Sequence, residues 1–392
     1  MANSIEKAKI FQSALDEQLI QEMTTGWMEA NAGMVKYNGG NEVKIPKMVL
    51  GGLGDYNRST GYNDGAVTLT FETHAFDMDR SKKFRLDRMD VDESNFVANA
   101  SAVMGEFQRT KVAPEVDAYR YSKIFKLANA SLKTGAYTPV DGTVLGKLKN
   151  DIAAVQDFVG EMTPLVICMS FEAANVLDQA DKIEKKLSVD SFSAGNVNLK
   201  VRTLDGIPII RVSSDRFKTD YTFGSTGYAA TATAMRINWV IIAKTAPIGV
   251  VKTDVPKIIE PSVNQSADAW DIAMRKYHAL WIPENKLSSV WVSYTPISAP
   301  ALTATFAAGS AVGTTKVTAT AGTGNKLAYS ITEAAVTGVN FNDVPTGLTA
   351  YTSDADITIT DTKFLNVYVL DATGHVQKFI SHDMAANEIK SN

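Results

Sequence analysis

An α+β fold followed by a separate all-β domain is what this sequence predicts, and three observations predict it. Residues 140–255 alternate between helical and strand periodicity, residues 297–392 carry only strand and turn signals, and residues 34–88 read as one long hairpin with a glycine-rich tip. At roughly 100–200 residues per domain, 392 residues mean two or three domains. Hydrophobic residues at 45% and charged residues at 21% are ordinary for a globular chain long enough to bury a core without staples.

The first element is an amphipathic helix. Ile5, Ala8, Leu15, Leu19 and Met23 share one face, Asn3 or Ser4 supplies the cap, and the helix ends before Gly26. One helix cannot bury its stripe alone, so it needs another surface. In the hairpin, Val43, Ile45 and Val49 alternate with polar neighbours, and Val67, Leu69 and Phe71 alternate again on the far side. The apolar parity then slips to Phe76, Met78, Phe84 and Leu86, which predicts a bulge or twist near Ala75. Between the arms lies a flexible tip with Gly51, Gly52, Gly54, Gly61 and Gly65. A two-stranded hairpin is marginal in water, so such an arm needs its own core or a neighbouring subunit.

A helical stretch follows from Asp92 to about Asn129, with Phe96, Ala100, Val103 and Phe107 at helical spacing and Asp90 or Asp92 as cap. Pro114 should kink it or start a second helix. Leu145, Leu148, Ile152, Val155 and Val159 form the next stripe, and Leu165–Met169 is a buried strand. Ser170 caps a helix running to about Leu187, and Ile207–Val212 and Trp239–Ala243 are further strands. Residues 248–259 and 267–282 read as long extended segments. Val290–Pro296 then runs into Pro300, a boundary signal. Beyond it, Lys316–Thr320, Leu327–Ile331, Ile357–Thr360, Phe364–Leu370 and a terminal hairpin suggest about seven short strands, the pattern of an immunoglobulin-like sandwich without its Cys-Trp-Cys signature.

Chemistry is scarce. One cysteine, Cys168, excludes an intrachain disulfide and a cysteine-cluster metal site, and its apolar strand makes it a small buried hydrophobe. His74, His278, His375 and His382 lack ligand spacing and read as surface or interface side chains. Gly-Gly-Leu-Gly-Asp-Tyr-Asn57 lacks the third glycine and the following helix of a dinucleotide loop. No run approaches 18 apolar residues, so no membrane span is expected, and the N-terminus has no apolar signal region. No catalytic residue, cofactor or metal site is therefore expected.

The densest charge lies in residues 71–93, with seven acids and five bases. It is either a solvated strand and helix start or a strip of inter-subunit ion pairs. Its mixed sign argues against a DNA-binding patch. Under the second reading Arg80, Lys82, Lys83, Arg85, Asp87, Arg88 and Asp90 are candidate inter-subunit contacts.

These residues also carry a family resemblance. The order of N-terminal helix, glycine-tipped hairpin, Asp-Arg-Ser-Lys-Lys-Phe-Arg-Leu-Asp-Arg-Met-Asp-Val-Asp-Glu93, and a helix containing Gly-Glu-Phe-Gln-Arg-Thr-Lys-Val-Ala-Pro-Glu-Val-Asp-Ala-Tyr-Arg120 resembles the major capsid proteins of tailed bacteriophages with the Hong Kong 97-like fold. The resemblance covers about residues 1–296 and is most specific over 79–121. It implies an N-arm at 1–33 and an extended loop at 34–88 reaching over an adjacent subunit. The spine helix and peripheral domain would occupy 89–136, the axial domain 137–255 and the peripheral return strands 256–296. Residues 297–392 resemble the bacterial immunoglobulin-like domains that some phages display on the capsid's outer surface.

The implied function is a structural subunit, not an enzyme. It would assemble with itself into pentamers and hexamers of an icosahedral head around non-specifically held double-stranded DNA. The implied partners are a separate scaffolding protein and a portal, and the implied place is the virion, built in the host bacterial cytoplasm. The rival readings are an encapsulin-like nanocompartment shell, a surface adhesin suggested by the terminal sandwich, and an enzyme in the α/β region. The formal charge of −4 divides into −1 over residues 1–296 and −3 over 297–392.

Overall fold

The computed structural model describes residues 23–34, 42–56, 58–59, 61–62, 65–89, 100–180, 187–194, 197–359 and 363–391. Apart from Met23, the predicted N-terminal helix lies outside them, as do Asp90, Asp92 and Phe96. The chain divides into two compact units. One holds most residues up to Ser293, and the other holds the residues from Tyr294 onward with two short earlier segments.

In the first unit a 3-10 segment at Gly26–Met34 leads into β1 (Glu42–Leu50), β2 (Val67–Ala75) and β3 (Met78–Asp87). β1 and β2 form a two-stranded antiparallel sheet with Leu50 opposite Val67 and Glu42 opposite Ala75. The hairpin ends there. The sequence reading runs it to residue 88, but β3 pairs with another strand. The parity slip at Ala75 is thus a change of sheet and not a bulge within one arm. Phe76, buried with Val43, Ala279 and Trp281, marks the turn-off.

The helical stretch is α1 (Ala100–Phe107), a π-helical turn (Gln108–Val112) and α2 (Ala113–Ala130). Pro114 stands in the first turn of α2. It has no N–H and its ring crowds the carbonyl four residues back, so the interruption predicted there takes the form of a wider turn. α2 is buried along most of its length.

Next come β4 (Thr134–Ala136), α3 (Asp141–Val159), β5 (Leu165–Ser170), α4 (Phe171–Gln179), β6 (Leu187–Ala194), β7 (Val197–Leu204) and β8 (Ile207–Val212). They are followed by β9 (Tyr221–Gly224), β10 (Gly227–Ala230), β11 (Arg236–Ala243), β12 (Ile248–Ile259), β13 (Ala269–Trp281) and β14 (Val290–Thr295). A seven-stranded sheet runs β4-β14-β11-β5-β8-β7-β6, with β5 and β8 parallel. β5 is buried throughout, as its unbroken apolar run predicts for a strand covered on both faces. Leu148, Ile152 and Val155 of α3 are buried, and Gly160 at φ +80 ends that helix, a conformation costly for other residues. Ser170 caps α4 by accepting from the Ala173 N–H at 3.2 Å. α4 stops at Gln179, short of the predicted Leu187, because Ala180 is extended and Leu187 already opens a strand paired to β7.

β12 and β13 are the two long extended segments expected. With β3 they make a three-stranded sheet, β12-β13-β3. Met104 of α1 packs on Ile272 and Met274 of β13, joined by Phe84, Phe107 and Ile258. The helix therefore lies along one face of this sheet, and the other face carries Arg275, Lys83 and Arg85.

The second unit contains β15 (Ala304–Ala308), β16 (Thr314–Ala319), β17 (Lys326–Thr332), β18 (Thr349–Tyr351), β19 (Asp356–Thr358), β20 (Phe364–Leu370) and β21 (Val376–Asp383). They form two sheets, β15-β16-β19 and β18-β17-β20-β21. One core of Leu302, Val317, Leu327, Ile357, Leu365, Val367 and Val369 lies between them. The terminal hairpin turns through Gly374 at φ +93, and Asp371 accepts from the His375 N–H at 2.9 Å.

Candidate functional site

The first feature with functional content is the arm. In the antiparallel register, opposite residues share a face. Pro46 and Phe71, Met48 and Leu69, and Leu50 and Val67 are opposite pairs, so three apolar pairs make a continuous ladder on one side. All of it is exposed: Met48 62%, Leu50 63%, Val67 67%, Leu69 55% and Phe71 57%. The tip continues this character with fully exposed Leu53, and Tyr56 meets Tyr62 edge-on at 5.4 Å. The five predicted tip glycines surround these residues, and a Cβ added at Gly51, Gly52, Gly61 or Gly65 would touch nothing.

The opposite side of the arm is anchored at its base. Val43 is buried against Phe76 and Trp281, and His74 stacks on Trp281 with ring centroids 5.7 Å apart. Lys47 Nζ lies 2.9 Å from Glu284 and 3.8 Å from Glu72. The Glu284 N–H donates to Glu72 at 3.3 Å, and Trp281 Nε1 donates to the Ala75 carbonyl at 3.3 Å. The base is thus fixed to the body, while the side chains from Met48 outward on β1 and up to Phe71 on β2 are exposed.

The charge strip largely pairs within the chain. Arg80 donates to Glu115 of α2 at 2.6 Å and to the Gly224 carbonyl at 2.7 Å. Lys83 and Arg85 converge on Asp271 of β13 at 2.6 and 2.9 Å, and Arg275 pairs with Asp79 at 2.6 Å. Among the described residues Lys82 reaches only the Ser225 carbonyl, at 3.5 Å. Asp87 accepts from the Met89 N–H at 2.9 Å. Arg88 lies 3.9 Å from Asp268 and is largely exposed. Asp90 is outside the described residues.

The Asp271 side chain is 4% exposed, and Arg85 first, then Lys83, hold its carboxyl down to about 2. Its folded value lies below the ordinary 3.8. The clamp's contribution to stability is therefore complete above about pH 4 and is lost as pH falls toward 2. Asp271→Asn should lower the thermal midpoint at pH 7 and leave it almost unchanged at pH 2, followed by circular dichroism. An equal loss at both pH values would contradict an ionic clamp.

Sequence reasoning missed a third feature. Asp117 and Arg120 of α2 are both 0% exposed. Asp117 accepts from the Thr24 N–H at 3.0 Å and hydroxyl at 2.7 Å, and from the Thr25 N–H at 3.1 Å and hydroxyl at 2.6 Å. Arg216 adds an ion pair at 3.1 Å. Arg120 donates to the Thr25 carbonyl at 3.1 Å and to Glu29 at 2.5 Å, and the Tyr121 hydroxyl to Thr24 at 3.0 Å. Three residues of α2 thus lash the segment after the predicted N-arm helix to that helix. The available signal was polar Asp117, Arg120 and Tyr121 at i, i+3 and i+4 within a helix that must otherwise be buried.

The architecture is similar to phage capsid subunits. The mature capsid of bacteriophage PhiM1 is 12% identical over 66% of this chain and 83% of that one, with a TM-score of 0.47. The capsid of cyanophage P-SCSP1u is 13% identical over 66% and 85%, also at 0.47. A virus-like particle from Pyrococcus furiosus is 12% identical over 74% and 99%, at 0.43. Residues 307–387 match the family of the S-layer protein SbsC C-terminal domain. No curated protein matches the chain.

The titratable residues singled out from the sequence fall in structural settings. Cys168 is fully buried, and burial pushes its thiol up to about 12, which disfavours a thiolate. His278 and His375 are 1% exposed, which corrects their reading as surface or interface side chains. His278 lies on the helix-covered face of β13, and His375 closes the last turn, its Nδ1 2.7 Å from the Thr373 hydroxyl. His382 stacks on Phe306 at 3.8 Å and meets Glu388 at 2.9 Å. Among the described residues no group of His, Cys, Asp and Glu is placed to hold a metal ion, and no helix is long and apolar enough to cross a membrane.

Proposed function

We propose that this chain is the major capsid subunit of a tailed phage, assembling with itself into an icosahedral head around double-stranded DNA. The observation that carries this reading is the two-sided arm, fixed to its own body by one face and presenting an apolar ladder on the other. Full burial of each large apolar side chain is worth about 1.5–3 kcal/mol, so covering the ladder drives association. The anchored base keeps the ladder off its own body, so the receiving surface belongs to another copy. An arm of one copy on the body of the next is a heterologous contact, and such contacts close into rings when the rotation permits. Rings of five and six copies, joined, make a closed shell.

The charge strip takes a divided role in this reading. Its paired members stiffen the β3–β13 platform, and exposed Asp87 and Arg88 serve contacts between copies. A net charge of −1 over residues 1–296 suits a wall that confines DNA without reading bases. Scaffolding protein and portal are separate partners, and assembly takes place in the host cytoplasm. The terminal β unit is displayed on the outer surface.

Negative-stain electron microscopy of the expressed chain, with and without a scaffold gene from the same locus, tests the proposal. Closed particles of uniform diameter are expected. Deleting residues 297–392 should leave them intact. A chain that stays monomeric under every condition would sink the shell reading, and loss of particles on the deletion would place the terminal unit in the lattice.

A further inference from the structure

The face of the β12–β13–β3 sheet under the helix is open along part of its length. Beneath the π-helical turn a cleft of about 490 Å³ is bounded by β3, β13, that turn and the β9–β10 connection. Its volume is that of a small-molecule site. π-helical turns widen a helix locally and gather at functional sites.

The cleft is rich in positive charge. Arg80 and Lys276 are direct cross-strand neighbours, an arrangement of like charges that is destabilising by itself. Glu115 answers Arg80 at 2.6 Å and Asp254 answers Lys276 at 2.6 Å. Lys82 and Lys111 line the same cleft, are exposed, and form no ion pair with any described residue. Four cations thus face two carboxylates. His278, 1% exposed, also lines the cleft, and its Nδ1 has no hydrogen-bond partner among the described residues. Burial first, then Arg120, Lys276 and Arg80, hold its imidazole well below the usual histidine range, so it stays neutral. Phe84, Phe107 and Met274 give the same cleft an apolar wall. A buried polar atom without a partner, unbalanced cations and an apolar wall converge on one kind of guest.

We propose that this cleft binds a small amphiphilic anion, its oxyanion head between Lys82, Lys111 and the Arg80–Lys276 pair and its apolar or aromatic body against Phe84, Phe107 and Met274. The head is a phosphate or a carboxylate. The proposal is independent of shell assembly, since the cleft is built from one copy.

Isothermal titration calorimetry of the full chain tests it with four probes: phenyl phosphate, benzoate, inorganic phosphate and phenol. Saturable one-site binding is expected for phenyl phosphate or benzoate, and the tighter of the two identifies the head group. Inorganic phosphate and phenol, each carrying half of the recognition, should bind at least about tenfold more weakly. Lys82→Ala and Lys111→Ala, both at exposed positions, should each weaken binding by about tenfold, the scale of one lost charge-assisted hydrogen bond. Lys257→Ala, on the other face of the same sheet, should change nothing and controls for net charge. No saturable binding of either aromatic anion would overturn the proposal. So would binding unaffected by both lysine variants, or phenol binding as tightly as the anions.

Discussion

Replacing Asp117 with alanine should destabilise the first unit by about 3–5 kcal/mol. The carboxylate takes four hydrogen bonds from Thr24 and Thr25 and an ion pair from Arg216, all at a position without solvent exposure. Its removal takes the acceptor from two N–H groups and two hydroxyl hydrogens, those of buried Thr25 and half-buried Thr24, and takes an anion from beside Arg216. Arg120, itself 0% exposed, still holds Glu29 and the Thr25 carbonyl, so the lash loosens from one side. Asp117→Asn keeps the shape and one acceptor oxygen, and should lose less than half as much. Urea denaturation followed by near-ultraviolet circular dichroism measures both. A loss below about 1 kcal/mol for the alanine variant would mean that the segment at residues 24–29 contributes little to the fold.

The second large effect concerns assembly and not folding. Met48→Asp with Leu69→Asp puts two carboxylates directly opposite each other in the middle of the ladder. Both positions are exposed in the single chain, so the repulsion of two like charges should lower its thermal midpoint only slightly. Burying the same pair against another copy would leave two unpaired charges in an apolar contact, at several kcal/mol for every arm. Particles should disappear while soluble subunits remain, as read by analytical ultracentrifugation beside a thermal melt. Lys44→Asp with Thr73→Asp supplies the comparison, placing the same two charges opposite each other nearer the base and outside the three apolar pairs. A strong drop in the melting temperature of the first variant would show that the ladder belongs to the chain's own core.

Much of this was legible in the sequence, and the limits have physical causes. The α+β class, the buried strand Leu165–Met169, the long strands at 248–259 and 267–282 and the seven terminal strands all follow from local periodicity, which a single chain displays. The faces of the arm did not follow. Val43, Ile45 and Val49 alternate in β1, and Val67, Leu69 and Phe71 alternate in β2, yet these two sets lie on opposite faces. Register is set by the turn, and the turn is a 16-residue glycine-rich stretch that specifies no register. The change of sheet after Ala75 was visible only as a slip of parity, since the true partner of β3 lies some 190 residues further along the chain.

The site residues show the same division. The strip at residues 71–93 was conspicuous as a run of charge, but its partners Glu115, Asp271 and Arg275 sit on elements that only the fold brings near. Asp117 and Arg120 stand inside the stretch that resembles the capsid family. Their role was still hidden, because a buried carboxylate and a solvated one look alike until the hydroxyls of Thr24 and Thr25, 92 or more residues away, are placed against it.

A density map of the assembled particle at side-chain resolution tests the central claim most directly. It should show the Pro46–Phe71, Met48–Leu69 and Leu50–Val67 face packed on the body of a different copy, with the Lys47–Glu284 anchor kept within its own chain. A closed particle in which that face is open to solvent, or is folded onto its own body, would contradict the account.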